Sequence, residues 1–385
     1  MHGFLLNCWY VAAWDYELAD APISRKIAGL SVLFYRKADG AVVALEDRCC
    51  HRHAPLSLGR IEGDSVRCMY HGMRFAPDGR CVEIPGQRDI PVQACVRAFP
   101  VVERHSWIWV WMGGAAEADP DLIPPAIGLD DPRWMLRASQ LDVDAGYELI
   151  NDNLTDFSHL SYVHPDSFRA DEQHAQTRPL ITVLPRGIRV QRWVQARPLQ
   201  QAPAADAAKA AAPAARNHWR TDNWSSYDYL APGVLLLTVK RYPPGTAQAC
   251  GEREPEADRP HLSALSSCQA VTPVSTNSSR YFYSFGADAA SATVEKAEVM
   301  LAVATKAFNE DKAMIEAQQR RIDERPKLPP LVTTADEGLL AMRRVMAALI
   351  AQERARRDGA KALKLTELQP RAIETENGGL STAEH

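Results

Sequence analysis

The chain has 385 residues, 46 % hydrophobic and 24 % charged, an ordinary make-up for a soluble globular protein and longer than one core usually supports, so two domains are expected. A net charge of −4 gives no general attraction to nucleic acid or anionic membrane, and no apolar run reaches the roughly 18 residues of a spanning helix. The stretch Met1 to Asn7 lacks the charged and long apolar regions of a secretory signal. The eight cysteines therefore read as thiols in a reducing cytoplasm, where clustered cysteines are more often metal ligands than disulfides.

Residues 8 to 46 read as strands: Cys8 to Trp14, then Leu30 to Tyr35 and Ala41 to Leu45 around the turn signal Asp39-Gly40. A strongly β-prone run, Trp107 to Met112, closes at Gly113-Gly114. Residues 1–117 form an all-β domain, and the Pro- and Asp-rich segment 118–133 marks the boundary to a second domain, 118–358. That second domain is α+β. Met135 to Val143 is a strand, and Asp144 to Val163 reads as one helix ending before Pro165. Segments 181–195, 221–242 and 262–287 alternate as strands do. The Ala- and Pro-rich piece 197–216 reads as a flexible insertion. Thr293 to Glu324 is a helix with an apolar stripe through Val299, Met300, Ala302, Val303, Ala307, Met314 and Ile315. A second helix runs from Thr334, its cap, to Arg357. Residues 359–385 are a frayed tail.

Cys49-Cys50-His51 is answered sixteen residues after His51 by Cys68-Met69-Tyr70-His71. Two cysteines and two histidines in paired short loops make a metal site. Zinc is one reading. The order Cys, His, Cys, His gives each loop one thiolate and one imidazole, which also suits a binuclear cluster with two cysteines on one iron and two histidines on the other. A third reading takes Cys50-His51-Arg52-His53 as its own C-x-x-H.

Arg48-Cys49-Cys50-His51-Arg52 and Cys68-Met69-Tyr70-His71-Gly72 closely resemble the motifs of Rieske non-haem iron oxygenases. The resemblance implies that Cys49 and Cys68 ligate one iron of a [2Fe–2S] cluster, and His51 and His71 the other. Cys50 departs from it, since proline commonly stands there. Cys8, Cys81, Cys95, Cys250 and Cys268 stand apart as structural residues, and His53, His105 and His174 read as ordinary surface or core histidines.

Residues Asp156 to His164 hold D-x-x-H-x-x-x-x-H. Five residues are about 500° of helix, roughly 140° off a shared face. His159 and His164 therefore converge on one ion only if the helix loosens or ends between them. Two histidines and a carboxylate with open positions suit Fe(II) that must bind O₂; a helix with two histidines on a polar face is the plain alternative. In the family the third ligand lies on a late helix, which Phe308 to Glu316 resembles. By position it is Asp311, with Glu310 as runner-up. The resemblance further implies that Asp156 joins His159 or His164 to His71 of a neighbouring subunit, orienting rings and shortening the electron path. Asn153, one turn earlier, is a candidate contact to the ligands or to substrate.

Asn7-Cys8-Trp9-Tyr10-Val11-Ala12, His53-Ala54-Pro55-Leu56 and Val82-Glu83-Ile84-Pro85-Gly86 are similar to oxygenase components of the vanillate O-demethylase type. That branch also holds dicamba O-demethylase and toluenesulfonate methyl-monooxygenase. The resemblance implies a Rieske domain followed by a helix-grip-like catalytic domain with mononuclear Fe(II). It implies a homotrimer fed with NADH electrons by a flavin and iron–sulfur reductase, and hydroxylation of a methoxy or methyl group on an aromatic acid. A ring cis-dihydroxylating dioxygenase and a Rieske electron carrier are the alternatives. No residue in the sequence names the substrate pocket.

Overall fold

A computed structural model of the chain describes residues 3–19, 21–168, 172–198 and 220–357. The insertion expected at 197–216, from residue 199 on, and the tail expected at 359–385 lie outside them. Ten short strands form the N-terminal part: β1 (Trp9–Trp14), β2 (Ile23–Ile27), β3 (Leu30–Arg36), β4 (Val42–Glu46), β5 (Arg60–Glu62), β6 (Ser65–Arg67), β7 (Arg74–Phe75), β8 (Cys81–Glu83), β9 (Val101–Arg104) and β10 (Trp107–Trp111). They pair antiparallel into three small sheets, β1-β10-β9, β2-β3-β4 and β5-β6-β7-β8. Gly40, at φ +85°, makes the turn from β3 to β4.

β10 is apolar at every position because both its faces are covered. Ile108 and Val110 enter a core shared with Tyr10, Phe34 and Phe99. Trp107, Trp109 and Trp111 pack with Trp9 and Trp14 against Val234, Ala270 and Phe282 of the second domain. Backbone bonds tie the halves as well: the Ala28 N–H donates to the Pro273 carbonyl at 2.7 Å, and the Thr272 hydroxyl to the Val11 carbonyl at 2.6 Å.

The second domain is built on one antiparallel sheet of seven strands: β11 (Trp134–Val143), β12 (Leu180–Leu184), β13 (Gly187–Pro198), β14 (Arg220–Leu230), β15 (Val234–Tyr242), β16 (Ser263–Ser275) and β17 (Ser278–Asp288), in the order β11-β17-β16-β15-β14-β13-β12. Each of the three alternating segments is thus a pair of strands. The helices are α1 (Tyr147–Thr155), α2 (Leu160–Val163), α3 (Glu172–Gln176), α4 (Thr246–Ala249), α5 (Val294–Glu324) and α6 (Glu337–Arg357). No helix among the described residues is long and apolar enough to cross a membrane.

Three expectations need correction. The helix expected over 144–163 is broken. α1 ends at Thr155, Asp156 is extended (φ −130°, ψ 101°), and a 3₁₀ turn over Phe157–His159 leads into α2. Asp156 and His159 therefore do not share a helical face. α5 is capped by Thr293, whose hydroxyl accepts from the Lys296 N–H, but its buried stripe is Ala297, Ala304, Ala307, Phe308, Asp311, Ile315 and Gln319. Val299 and Met314, read as core, are 63 % and 59 % exposed. The cap before α6 is Thr333: the Asp336 carboxylate accepts from its backbone N–H at 2.5 Å.

Candidate metal centres and the cavity beside the second

The first site stands at the tip of the N-terminal domain. Backbone bonds close each loop: Cys49 N–H to the Ala54 carbonyl (2.8 Å) and His53 N–H to the Cys49 carbonyl (3.0 Å), then Cys68 N–H to the Met73 carbonyl (2.8 Å) and Gly72 N–H to the Cys68 carbonyl (2.9 Å). Gly72 sits at φ +77°, and a Cβ there would come within 2.8 Å of the Pro85 ring, so this turn needs glycine. Cys49 and Cys68 are buried, whereas His51 and His71 are exposed. The imidazole centroids lie 4.6 Å apart. The two thiols adjoin each other, and burial pushes the Cys49 thiol up to about 11. Desolvation, with His51 and Arg52 nearby, holds His71 below the usual imidazole range, in the neutral form a ligand needs.

The donors thus form an inner sulfur pair and an outer nitrogen pair. One tetrahedral zinc would draw all four donors into a single group, whereas here the sulfur pair is buried and the nitrogen pair exposed. The arrangement fits two irons, sulfur-held and nitrogen-held. Cys50 has a different setting. It is partly buried against the apolar cluster containing Leu33, Leu56, Phe75 and Cys81.

The second site lies where the broken helix faces α5. Its ligand atoms, from His159, His164 and Asp311, all lie within 4.8 Å of one another. Asp311 Oδ1 is 3.4 Å from His159 Nε2 and 3.2 Å from His164 Nε2. The break at Asp156 and the end of α2 at Val163 let the two histidines converge. The tautomers follow from the outer contacts. His159 Nδ1 lies 2.6 Å from the Asp156 carbonyl, and His164 Nδ1 lies 2.9 Å from Glu310 Oε2. A carbonyl and a carboxylate only accept, so both protons sit on Nδ1 and both Nε2 lone pairs point inward. His164 Nε2 is fully buried and makes no hydrogen bond. Two lone pairs and a carboxylate oxygen converge there, an arrangement that repels itself unless a proton or a metal cation sits among them, and it fits Fe(II) with positions left open. Burial holds His159 below the usual imidazole range. Burial pulls His164 the same way, but Asp311 and Glu310 outweigh it and the net direction is upward.

Each expected site residue has a distinct place. Asn153 donates to Asp311 Oδ1 at 3.1 Å and lies 3.4 Å from His159 Nε2. Asp311 faces inward because it belongs to the buried stripe of α5. Glu310, one residue and about 100° away, grips the back of His164 and accepts from the Ser167 hydroxyl at 2.6 Å. Asp156 reaches His159 through its carbonyl. Its carboxylate accepts from the Ser158 N–H (2.8 Å) and hydroxyl (2.9 Å). Glu310 and Ser167 were not legible as supports, because a carboxylate's direction depends on which face of α5 is buried.

A cavity of about 460 Å³ opens beside this site. Its walls are largely apolar, with Phe157, Leu160, Phe168, Leu237, Val239 and Phe285 among them. His159 and Asp311 line it, as do Val299 and Val303, two exposed valines of α5. His174 lines it too. Sequence alone left it an ordinary histidine, but it is buried and its Nε2 accepts from Arg192 at 2.7 Å.

A sulfur-and-nitrogen tip joined to a two-histidine, one-carboxylate centre under an apolar cavity defines a class: Rieske non-haem iron oxygenases. The chain belongs to it. Residues 8–100 match the Rieske [2Fe-2S] domain, and residues 143–352 match the vanillate O-demethylase oxygenase C-terminal domain. The iron–sulfur subunit of the toluene-4-sulfonate monooxygenase system of Comamonas testosteroni is 38 % identical over 344 residues, covering 87 % of this chain and 94 % of that protein. The vanillate O-demethylase oxygenase subunit of a Pseudomonas species is 32 % identical over 364 residues, 93 % of this chain and 98 % of its own. Dicamba monooxygenase, crystallised with 3,6-dichlorosalicylic acid, superposes with a TM-score of 0.78 at 29 % identity, over 91 % of this chain and 99 % of that one.

Proposed function

We propose that this chain is the terminal oxygenase of a multicomponent monooxygenase that hydroxylates a methoxy or methyl substituent of an aromatic acid. The observation that carries this reading is the convergence of His159, His164 and Asp311 at an apolar cavity, behind a tip built for a Rieske cluster. The named acids of its relatives, toluene-4-sulfonate and vanillate, support the substrate class. When bound, the two metal groups supply one-electron storage and O₂ activation. Overall, substrate C–H, O₂, NADH and a proton give C–OH, water and NAD⁺. A hydroxylated methoxy group is a hemiacetal, which collapses to a phenol and formaldehyde; a hydroxylated methyl stays an alcohol.

The protein's share is positional. Glu310 and the Asp156 carbonyl hold the Nδ1 protons of the two ligand histidines, so their Nε2 atoms stay available. Asn153 steadies Asp311. The aromatic walls exclude water and orient a flat ring. Electrons enter from a flavin and iron–sulfur reductase. We place their exit at the exposed His51 and His71, with His71 meeting Asp156 of a neighbouring subunit in a homotrimer. The partly buried Asp156 carboxylate, whose hydrogen bonds among the described residues come from Ser158 alone, supports this. Domain limits of 1–117 and 118–358 suit the matched segments. The six cysteines outside the cluster site form no disulfide, which suits a reducing cytoplasm.

The test is turnover with reductase, NADH and isotopically labelled O₂ across methoxybenzoates, toluate and toluenesulfonate. One labelled oxygen in the organic products supports the reading. Two would mean ring dihydroxylation, and no substrate-dependent O₂ uptake would leave an electron carrier.

A further inference from the structure

Arg192 lies on β13, opposite Ser225 of β14 and two residues before Val194. Ser225, Val194 and His174 all line the cavity, and the strand register puts the Arg192 side chain on their face of the sheet, adjoining the cavity through His174. The residue is only 8 % exposed. Its guanidinium donates to His174 Nε2, while its Nε–H is buried without any partner. Among the described residues no carboxylate reaches it; Asp156 acts on it only through space. Removing a cation from water without an anion beside it is costly. The cost is explained if the anion arrives with the ligand.

We propose that Arg192, held in place by His174, is the anion subsite of this cavity and binds the carboxylate or sulfonate of the aromatic substrate. This rests on the monooxygenase reading and deepens it. A guanidinium matches either oxyanion with paired N–H donors. His174 is the positioning residue. Arginine can only donate, so His174 Nε2 must carry a lone pair and the ring stays neutral with its proton on Nδ1. Arg241 on the same cavity wall adds positive field. An anchor at Arg192 and iron ligands at His159 and Asp311 then hold one flat ring from two sides, presenting its substituent to the metal.

The experiment measures equilibrium binding by anaerobic calorimetry on the whole protein. The probes are 4-toluenesulfonate and 4-methoxybenzoate against the uncharged 4-methylanisole and 4-methoxybenzamide. Arg192→Met is expected to weaken the two anions about 10- to 100-fold, the worth of a charge-assisted hydrogen bond, and the neutral probes less than about twofold. Arg192→Lys restores part of the loss. His174→Gln, which keeps an acceptor for Arg192, loses less than Arg192→Met. The cluster's visible spectrum and the thermal melt confirm folding; if Arg192→Met does not fold, Arg192→Lys and His174→Gln decide on the same anion-to-neutral ratio. Equal weakening of charged and neutral probes, unchanged anion affinity, or wild-type protein that binds neutral but not anionic rings would each overturn the subsite. Anion binding lost in Arg192→Met, without O₂ uptake by the wild type, would sink the monooxygenase reading and leave the subsite standing.

Discussion

Replacing Glu310 and Asp311 one at a time separates a metal ligand from the residue that orients a ligand. Glu310 Oε2 accepts from His164 Nδ1 at 2.9 Å and from Ser167 at 2.6 Å. Glu310→Ala removes one charge-assisted bond to the imidazole, worth about 1.5–3 kcal/mol. At about 1.4 kcal/mol per tenfold, iron should bind about 10- to 100-fold more weakly, the range usual for residues behind a metal ligand. Glu310→Gln keeps an acceptor without the charge and should lose less. Asp311→Ala removes one of three donors within 4.8 Å, and two imidazoles should not retain Fe(II) through gel filtration. The assay is anaerobic Fe(II) titration with iron quantitation, the cluster absorbance serving as internal standard. An iron-free Glu310→Ala protein beside a loaded Asp311→Ala protein would exchange their roles. Wild-type affinity in Glu310→Ala would refute the orienting bond.

The pH dependence has a definite sign. In the iron-free fold Asp311 and Glu310 outweigh burial and hold His164 above its ordinary value of about 6.5. Iron must displace that proton, so its affinity should fall as pH drops through the raised value, measurable by titration between pH 6 and 8. The same proton stabilises the iron-free fold fully below about pH 6.5 and is lost as pH rises through the raised value. Iron-free protein should therefore lose that increment as pH rises through the raised value in urea melts. Asn151→Leu strips the Tyr229 hydroxyl (2.6 Å) and the Pro232 carbonyl (3.1 Å) of their buried partner. It should cost about 2–4 kcal/mol in urea unfolding, and a shift under about 0.5 kcal/mol would refute those bonds. Cys50→Ser should keep the cluster's visible and electron paramagnetic spectra, because Cys50 packs in an apolar cluster; loss of the cluster would make it a ligand.

Much of the metal chemistry was legible because it is local. Two short loops with one cysteine and one histidine each must bring their donors together wherever the tip lies in the fold. The strand-bearing segments of the large sheet were legible for a similar reason, since they alternate, but each of three proved to be a pair of strands joined by a short turn. The helix reading of 144–163 failed at Asp156. Local propensity favours one continuous helix there, but an extended Asp156 lets its carboxylate cap the next turn and its carbonyl take the His159 proton. The stripe on α5 was misplaced because valines bordering a cavity look like core in sequence. Val299 and Val303 line the cavity, while the packed face runs through Ala304, Phe308 and Ile315.

By itself, the sequence determined the donor set of the tip, the pairing of His159 with His164, and an α+β domain to carry them, since ligand type, spacing and strand alternation act over short range. Only the tertiary structure decided the rest. It turned Asp311 inward and Glu310 behind His164, because neighbouring residues on a helix point about 100° apart and packing alone chooses which one enters. It also set Arg192 beside His174, residues eighteen apart in the chain, with no carboxylate on the guanidinium among the described residues. That meeting depends on how α3 folds over β13, and no local pattern encodes it.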